Sequence, residues 1–542
     1  MKYILISIFV YLSTSGIAQE LNVDWGVCFG ADYENSYSRA LGVLPNNHIV
    51  NSLIVTNDND AFTDYHGESD AWVIITDSNG TLVFERCFGG GGHDYFGDIE
   101  VSDEYIYFVG QTNSTDGDVQ SDPIGGYMNL WVVKTDFDLN IIWERQYGCL
   151  GTQDFEVAKL TPEGGLILLM DFFNQGGGDV SEYYGASDIW VCEIDANGEI
   201  LWEKTLGNSI PNHASDVIQN QEGNTVVLGY TYGSGGMIEC AAHGSEDIWI
   251  VELDEETEEI IWQNCYGGSL GDGSATIIEE STGYFIVGGT RSSDGDIQSL
   301  NHGEGDAWVI EINYSGNIIW EQCFGGSETD SFNRIFKTDE GGYFLFGITY
   351  STDGNVNNTL CPYPYCFPSV WVVELDSEKN ILWNGVHGSI YANYYEKNGI
   401  KRISERDFYI AGIIDESTFL NPVDVDCEPY PVNYEKSAWI YRLYDTTTGV
   451  INKYQELKGL KFYPNPANTQ ITFELSVITK ESRLQIKNIF GEIIVEFPIY
   501  KGQEQLIWDC SSVASGVYFY ESENKASNSY RDIYRGKIVV SR

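Results

Sequence analysis

The side chains best placed to do chemistry in this sequence are carboxylates set in glycine turns. Ser114-Thr115-Asp116-Gly117-Asp118, Ser292-Ser293-Asp294-Gly295-Asp296 and Ser351-Thr352-Asp353-Gly354-Asn355 repeat one pattern. Oxygen ligands clustered round a tight turn suit Ca2+, a hard cation that takes about six to eight of them. Asp116, Asp118, Asp294, Asp296 and Asp353 are therefore candidate cation ligands. None of the three segments has the EF-hand spacing, and Asp and Gly also build such turns with no ion present. His66, His243 and His302 share a second frame, His-Gly-x-x-Asp-x-Trp, but Gly125 and Tyr184 fill the same place between them. The expected role of these histidines is a turn hydrogen bond rather than a metal set. No zincin pattern and no phosphate-binding glycine loop occurs, so no catalytic residue is assigned.

A third group consists of aromatic residues in proline-stiffened stretches. Residues 361–368 read Cys-Pro-Tyr-Pro-Tyr-Cys-Phe-Pro, and residues 419–434 include Cys427-Glu-Pro-Tyr430-Pro. Tyr363, Tyr365, Phe367, Phe419, Tyr430 and Tyr434 would give a rigid amphipathic surface at low entropy cost, fit for a polysaccharide or a protein. The alternative is that the two stretches simply pack on each other.

The elements that must carry these residues follow from a repeat. Trp72, Trp131, Trp190, Trp249 and Trp308 stand 59 residues apart, and Trp371 and Trp439 follow after 63 and 68. Each opens an alternating apolar run, then a turn such as Asp195-Ala-Asn-Gly198, then a strand with a second aromatic residue and a terminal Gly. Two more strands precede each Trp, the first beginning after an acid or amide such as Asp94, Asp154, Asp272 or Asp330. Four short antiparallel strands per unit make one propeller blade. Trp25-Gly-Val-Cys28-Phe-Gly30 matches Trp320-Glu-Gln-Cys323-Phe-Gly325, a fourth strand without its first three. That strand is expected to complete the last unit, closing seven blades and removing exposed sheet edges. The two repeat positions absorb thirteen of the fourteen tryptophans, so their expected work is filling the wedge between blades. Cys28, Cys87, Cys265 and Cys323 share one repeat position on separate blades, too far apart to bridge, and read as buried apolar residues. Cys361, Cys366 and Cys427 could form one bridge.

Charge and termini complete the outline. The net charge of −52 disfavours nucleic acid and anionic lipid. From Gly459 to Arg542 the balance is ten basic residues against nine acidic, so the acid lies upstream and a boundary falls near Lys458. Lys2, an apolar run at residues 4–12 and the small residues before position 19 form a signal-peptide pattern over 1–18. No run is long enough to span a membrane. The expected domains are a propeller over 19–453, a linker over 454–458 and a small β-domain over 459–542.

That last domain carries a family's motifs. Phe462-Tyr463-Pro464-Asn465-Pro466-Ala467 opens it, Ile489-Phe-Gly-Glu492 lies midway, Ser515-Gly516-Val517-Tyr518 follows and Lys537-Ile-Val-Val540 ends it. It resembles the type A C-terminal sorting domain of the Bacteroidota type IX secretion system. The resemblance implies an Ig-like sandwich, partnership with that secretion machinery through Tyr463, Pro464, Asn465, Pro466, Gly516, Tyr518 and Lys537, and passage across the outer membrane. The product would be extracellular or held at the cell surface. Pro464 and Pro466 keep the entry out of a regular ladder, and Gly516 is expected to form a turn before an edge strand. The propeller repeat resembles one found in such secreted proteins, a group with no general activity to carry over. The expected function is recognition of polysaccharide or protein through one loop face, with Ca2+ as the candidate ion. The alternatives are a glycoside hydrolase, which needs two converging carboxylates, and a structural matrix component.

Overall fold

The structure, a computed structural model, describes residues 21–29, 37–56, 64–254, 256–356, 368–387, 393–394, 397–415 and 436–445, and, within 462–540, the tail strands and adjoining turns. The signal-peptide segment, the linker, Cys361, Cys366, Cys427 and the six loop aromatics (Tyr363, Tyr365, Phe367, Phe419, Tyr430 and Tyr434) lie outside these residues. The chain divides into two compact units, residues 1–447 and 448–542. Among the described residues no helix is long and apolar enough to cross a membrane.

Blade three shows how sequence becomes sheet. Thr152–Leu160, Leu166–Phe173, Ser187–Ile194 and Ile200–Leu206 pair in chain order, each antiparallel to the next. Its second strand, Leu-Ile-Leu-Leu-Met-Asp-Phe-Phe, is apolar on both faces because a neighbouring blade covers each side. The same order builds blade one (37–88), two (94–147), four (212–266), five (272–324) and six (330–387). Blade seven takes three strands from residues 393–445 beside a short extra one, and its outer strand from Leu21–Phe29, which pairs with Lys436–Asp445. Cys28 lies opposite Trp439 in that ladder, as Cys323 lies opposite Trp308 in blade five. The fold is the expected seven-bladed propeller, closed by its own first strand.

The tryptophans fill the wedges between blades. Trp131, Trp190, Trp249, Trp308 and Trp371 are all but fully buried. Each ring removes about 150–250 Å2 from water, or about 4–6 kcal/mol at about 25 cal/mol per Å2, an upper bound. In four of the five the indole N–H finds an acceptor on the outer strand: Trp131 donates to Glu144 at 2.9 Å, Trp190 to Glu203 at 2.8 Å, Trp249 to Gln263 at 3.0 Å and Trp308 to Glu321 at 3.1 Å. That of Trp371 has no partner among the described residues.

One cysteine departs from its expected role. Cys265 is not a free thiol but is bonded to Cys240, with 5.4 Å between Cα atoms. The partner comes from the loop between the second and third strands of the same blade, which folds down onto its outer strand. Comparing only equivalent positions on separate blades concealed it. Cys87 and Cys323 are free and buried, as expected.

The second unit has a three-stranded sheet of Phe462–Tyr463, Gln470–Glu474 and Gln505–Asp509. A four-stranded sheet runs in the order Ile493–Ile499, Ser482–Lys487, Gly516–Lys525 and Arg531–Val540. Ile471, Phe473, Leu484, Ile486, Trp508 and Tyr520 form the core of this sandwich. Gly516 opens an interior strand rather than an edge strand, because Arg531–Val540 pairs along its whole outer side.

Candidate binding site in the central channel

The first strand of each blade faces the central channel, and in six blades it carries a bulge at one fixed register. A bulge leaves one residue unpaired and re-aims its side chain. The six unpaired residues are Arg39, Gly97, Glu156, Ser215, Ala275 and Asn333, and all six line a channel cavity of about 570 Å3. The wall is further built by Tyr95, Asp154 and His213, each two positions before the bulge residue of its blade, and by Asp171 and Tyr230 on second strands. Asp154 pairs across the ladder with Asp171, and His213 with Tyr230, so the chemistry gathers on blades two to four.

The groups are tied into one network. His213 Nδ1 lies 2.7 Å from Asp171 Oδ2, and Asp171 Oδ1 accepts the Ala214 N–H at 2.7 Å. With Nδ1 occupied, the other ring nitrogen of His213 is the one left for a ligand. Its ring stacks on Tyr230 at 5.1 Å, and Tyr232 meets it edge-on at 6.1 Å. Lys397, in the short helical turn Lys397–Gly399 of blade seven, reaches across to Glu156 Oε2 at 3.3 Å and donates to the Ser215 carbonyl. Arg39 stacks over the Tyr95 ring at 4.4 Å, and its buried Nε has no hydrogen-bond partner among the described residues.

Burial dominates the acid strengths here. It pushes Glu156 up to about 7 against the pull of Lys397. It raises Asp154 against Arg39, and Asp171 against the hydrogen bond from His213. The same hydrogen bond raises His213. The cavity thus holds one carboxyl group, Glu156, poised near neutral pH, with Asp154 and Asp171 shifted in the same direction and the basic side chains of Arg39 and Lys397 beside them, a set that can donate or accept a proton.

The residues singled out in the sequence lie elsewhere. Asp116 and Asp294 each accept one backbone N–H, from Gly91 at 2.6 Å and Ser269 at 2.7 Å, and Asp353 accepts that of Ser327 at 2.7 Å. Asp118 pairs with Arg86 at 2.8 Å, and Asp296 accepts the Gly267 N–H at 3.1 Å. These side chains clamp the loop entering the blade, and among the described residues no group of three or more His, Cys, Asp or Glu is arranged to hold a metal. The frame histidines make their turn: the backbone N–H of His66, His243 and His302 bonds Asp70, Asp247 and Asp306, as that of Tyr184 bonds Asp188. The channel set was missed through a one-residue slip. Gln153, not Asp154, occupies the register of Asp94, Asp272 and Asp330, which turns Asp154 to the other face. A charged Asp171 within an otherwise apolar strand was the signal that could have found the site.

In the second unit, Phe462–Tyr463 pairs with the next strand, and the buried Tyr518 ring meets Trp508 edge-on at 5.9 Å. Residues 464–466 lie outside the described residues, and Lys537 lies on the last strand, opposite Phe519. Residues 461–535 match the family model for the secretion system C-terminal sorting domain. The tail is a type IX sorting domain. That sorting domain sends the propeller across the outer membrane. No curated protein matches the chain. Among solved structures, the extracellular domain of a candidate hybrid two-component system from B. thetaiotaomicron is 10% identical, covering 93% of this chain and 72% of that one, with a TM-score of 0.26. A Synechocystis apocarotenoid oxygenase mutant is 9% identical, covering 64% and 71%, with a TM-score of 0.35. Likeness at this level says nothing of ligand or activity.

Proposed function

We propose that this exported propeller binds a polysaccharide chain end at the mouth of its central channel. The observation that supports the reading is the bulge register: the scaffold repeats, yet the residue each blade aims into the cavity differs from its neighbours. Hydroxyl-rich rings suit a wall of amide, carboxylate and aromatic groups, and the charge of −52 favours neutral over anionic chains. The test is binding of the full exported chain to a polysaccharide array, with Ca2+ and with chelator. Signal lost in His213→Ala and Asp154→Asn would support the channel. Signal unaffected by both would move recognition to Tyr363, Tyr365, Phe367, Phe419, Tyr430 and Tyr434. No signal on any glycan would turn the search to a protein partner. Sensitivity to chelator would bring Ca2+ to Asp116, Asp118, Asp294, Asp296 and Asp353.

Glu156 favours a second reading. A carboxylic acid pushed up to about 7 beside other carboxylates is the arrangement glycoside hydrolysis uses for its general acid. Release of reducing ends that disappears in Glu156→Gln, with binding retained, would support it; binding without any release would reject it.

A further inference from the structure

Among the described residues, five blade junctions bring together two polar residues from fixed repeat positions, one at the start of a third strand and one opening the first strand of the next blade. Between blades two and three these are Asn129 and Gln153, and Gln153 Nε2 donates to Asn129 Oδ1 at 3.2 Å. At three other junctions both are acids: Asp70 with Asp94, Asp247 with Asp272, and Asp306 with Asp330. All six are at most 2% exposed. Each pair converges on the glycine that follows the intervening fourth strand. A Cβ on Gly89 would sit 3.0 Å from Asp70 Oδ1 and 2.7 Å from Asp94 Oδ2. On Gly267 it would sit 2.1 Å from Asp247 Oδ1 and 2.8 Å from Asp272 Oδ2, and on Gly325 2.9 Å from Asp306 Oδ1 and 2.6 Å from Asp330 Oδ2. The missing side chain is what lets the two carboxyl groups approach.

The partners of these oxygens are unequal. Asp94, Asp272 and Asp330 each receive a glycine N–H and a serine hydroxyl on Oδ2. Oδ1 of Asp70, Asp247 and Asp306 has no hydrogen-bond partner among the described residues. Two buried carboxylates this close cannot both ionise cheaply, and an orphaned buried oxygen adds its own cost. Where the chain has Gln153 facing Asn129, an amide hydrogen meets the need; where Asp188 faces Asn212, the amide is spent on Asn208 and Ile210, and Asp188 Oδ1 has no hydrogen-bond partner among the described residues. Where it has two acids, a proton can meet the need.

We propose that each of the three acid pairs holds one shared proton in mildly acidic solution and loses it towards neutrality, the proton being carried between Oδ1 of the third-strand Asp and Oδ2 of the next blade's Asp, so that these junctions form a pH-sensitive seam. Burial raises Asp70 to about 6 and raises Asp94, Asp247, Asp272 and Asp330 as well. The ionisable neighbours are His66, His243 and His302 in the preceding loops, the Cys87 and Cys323 thiols, and Asp116, Asp294 and Asp353 beside the glycine turns. A raised native pKa stabilises below the unfolded value and loses that stability as pH rises through the native one.

The experiment is thermal unfolding of the full chain from about pH 4 to about pH 7, which runs from the ordinary carboxylate value to above the raised value of Asp70. Wild type is compared with the triple variant Asp94→Asn, Asp272→Asn, Asp330→Asn. The wild-type midpoint should fall by several degrees across the window, and the triple variant should fall much less, because an amide has no proton to lose and sets no second charge beside the remaining Asp. Parallel curves would overturn the proposal. So would a wild-type fall abolished by replacing His66, His243 and His302 with Gln, or wild-type protection by Ca2+ that the triple variant loses, since a cation would then occupy the seam. Should the triple variant not fold, the infrared carboxyl C=O band of wild type decides at about pH 5, above the range in which ordinary Asp and Glu carboxyls are protonated: a protonated band that disappears towards neutrality supports the proposal and its absence overturns it.

Discussion

Blades three and five are built on the same plan and do different things. Both bury a tryptophan of the first repeat position, Trp190 and Trp308, against an outer-strand glutamate, and both carry the bulge at the same register. In blade three the paired channel positions are Asp154 and Asp171; in blade five they are Gly273 and Gly289. The bulge residue is Glu156 in one and Ala275 in the other. The scaffold is therefore indifferent to what stands at these few positions, and chemistry can be concentrated on one side of the channel without disturbing the ring.

The largest effect should come from the part the two blades share. Trp190→Ala and Trp308→Ala should each destabilise the propeller by about 3–5 kcal/mol in denaturant unfolding, as buried aromatic truncations do. A marked inequality between them would break the claim of a common scaffold. Next comes the part they do not share. Asp171→Asn or His213→Ala should weaken glycan binding about ten- to a hundredfold, a loss of about 1.4–2.7 kcal/mol for one charge-assisted hydrogen bond. Ser274→Ala in blade five should change it far less, and titration calorimetry with any array hit would compare them.

A smaller effect lies in pH. Because burial holds Glu156 at about 7, its contribution to stability is present at lower pH and is lost as pH rises through that value. Glu156→Gln should flatten this part of the unfolding profile, whereas Ala275→Ser in blade five should leave the slope unchanged. The smallest effect belongs to Asp294, whose exposed carboxyl is held below its usual range by the Ser269 N–H. Asp294→Asn should lower the unfolding midpoint slightly at neutral pH, and the difference should vanish as pH falls through the carboxylate range.

What could be read from the sequence was whatever repeats. Tryptophan spacing disclosed the blades, and the likeness of Trp25-Gly-Val-Cys28 to Trp320-Glu-Gln-Cys323 disclosed the closing strand, because both reflect packing that every blade must satisfy. The channel set was hidden because a bulge is a property of two strands pairing, and nothing in Phe155-Glu156-Val157 alone announces that Glu156 is the extra residue. The Cys240–Cys265 bond was hidden for a similar reason: Cys240 has no counterpart on other blades, so repetition could not point to it.

The closing strand has a further consequence for how the protein is made. Leu21–Phe29 is the first piece of the ring to leave the ribosome and its partner Lys436–Asp445 the last. No circular molecule can exist until the final blade has been synthesised, and contacts this distant along the chain form late in folding. The clasp thus acts as a check on completeness: a chain cut short before residue 436 lacks the strand that Leu21–Phe29 pairs with, keeps an unpaired edge and never becomes a ring.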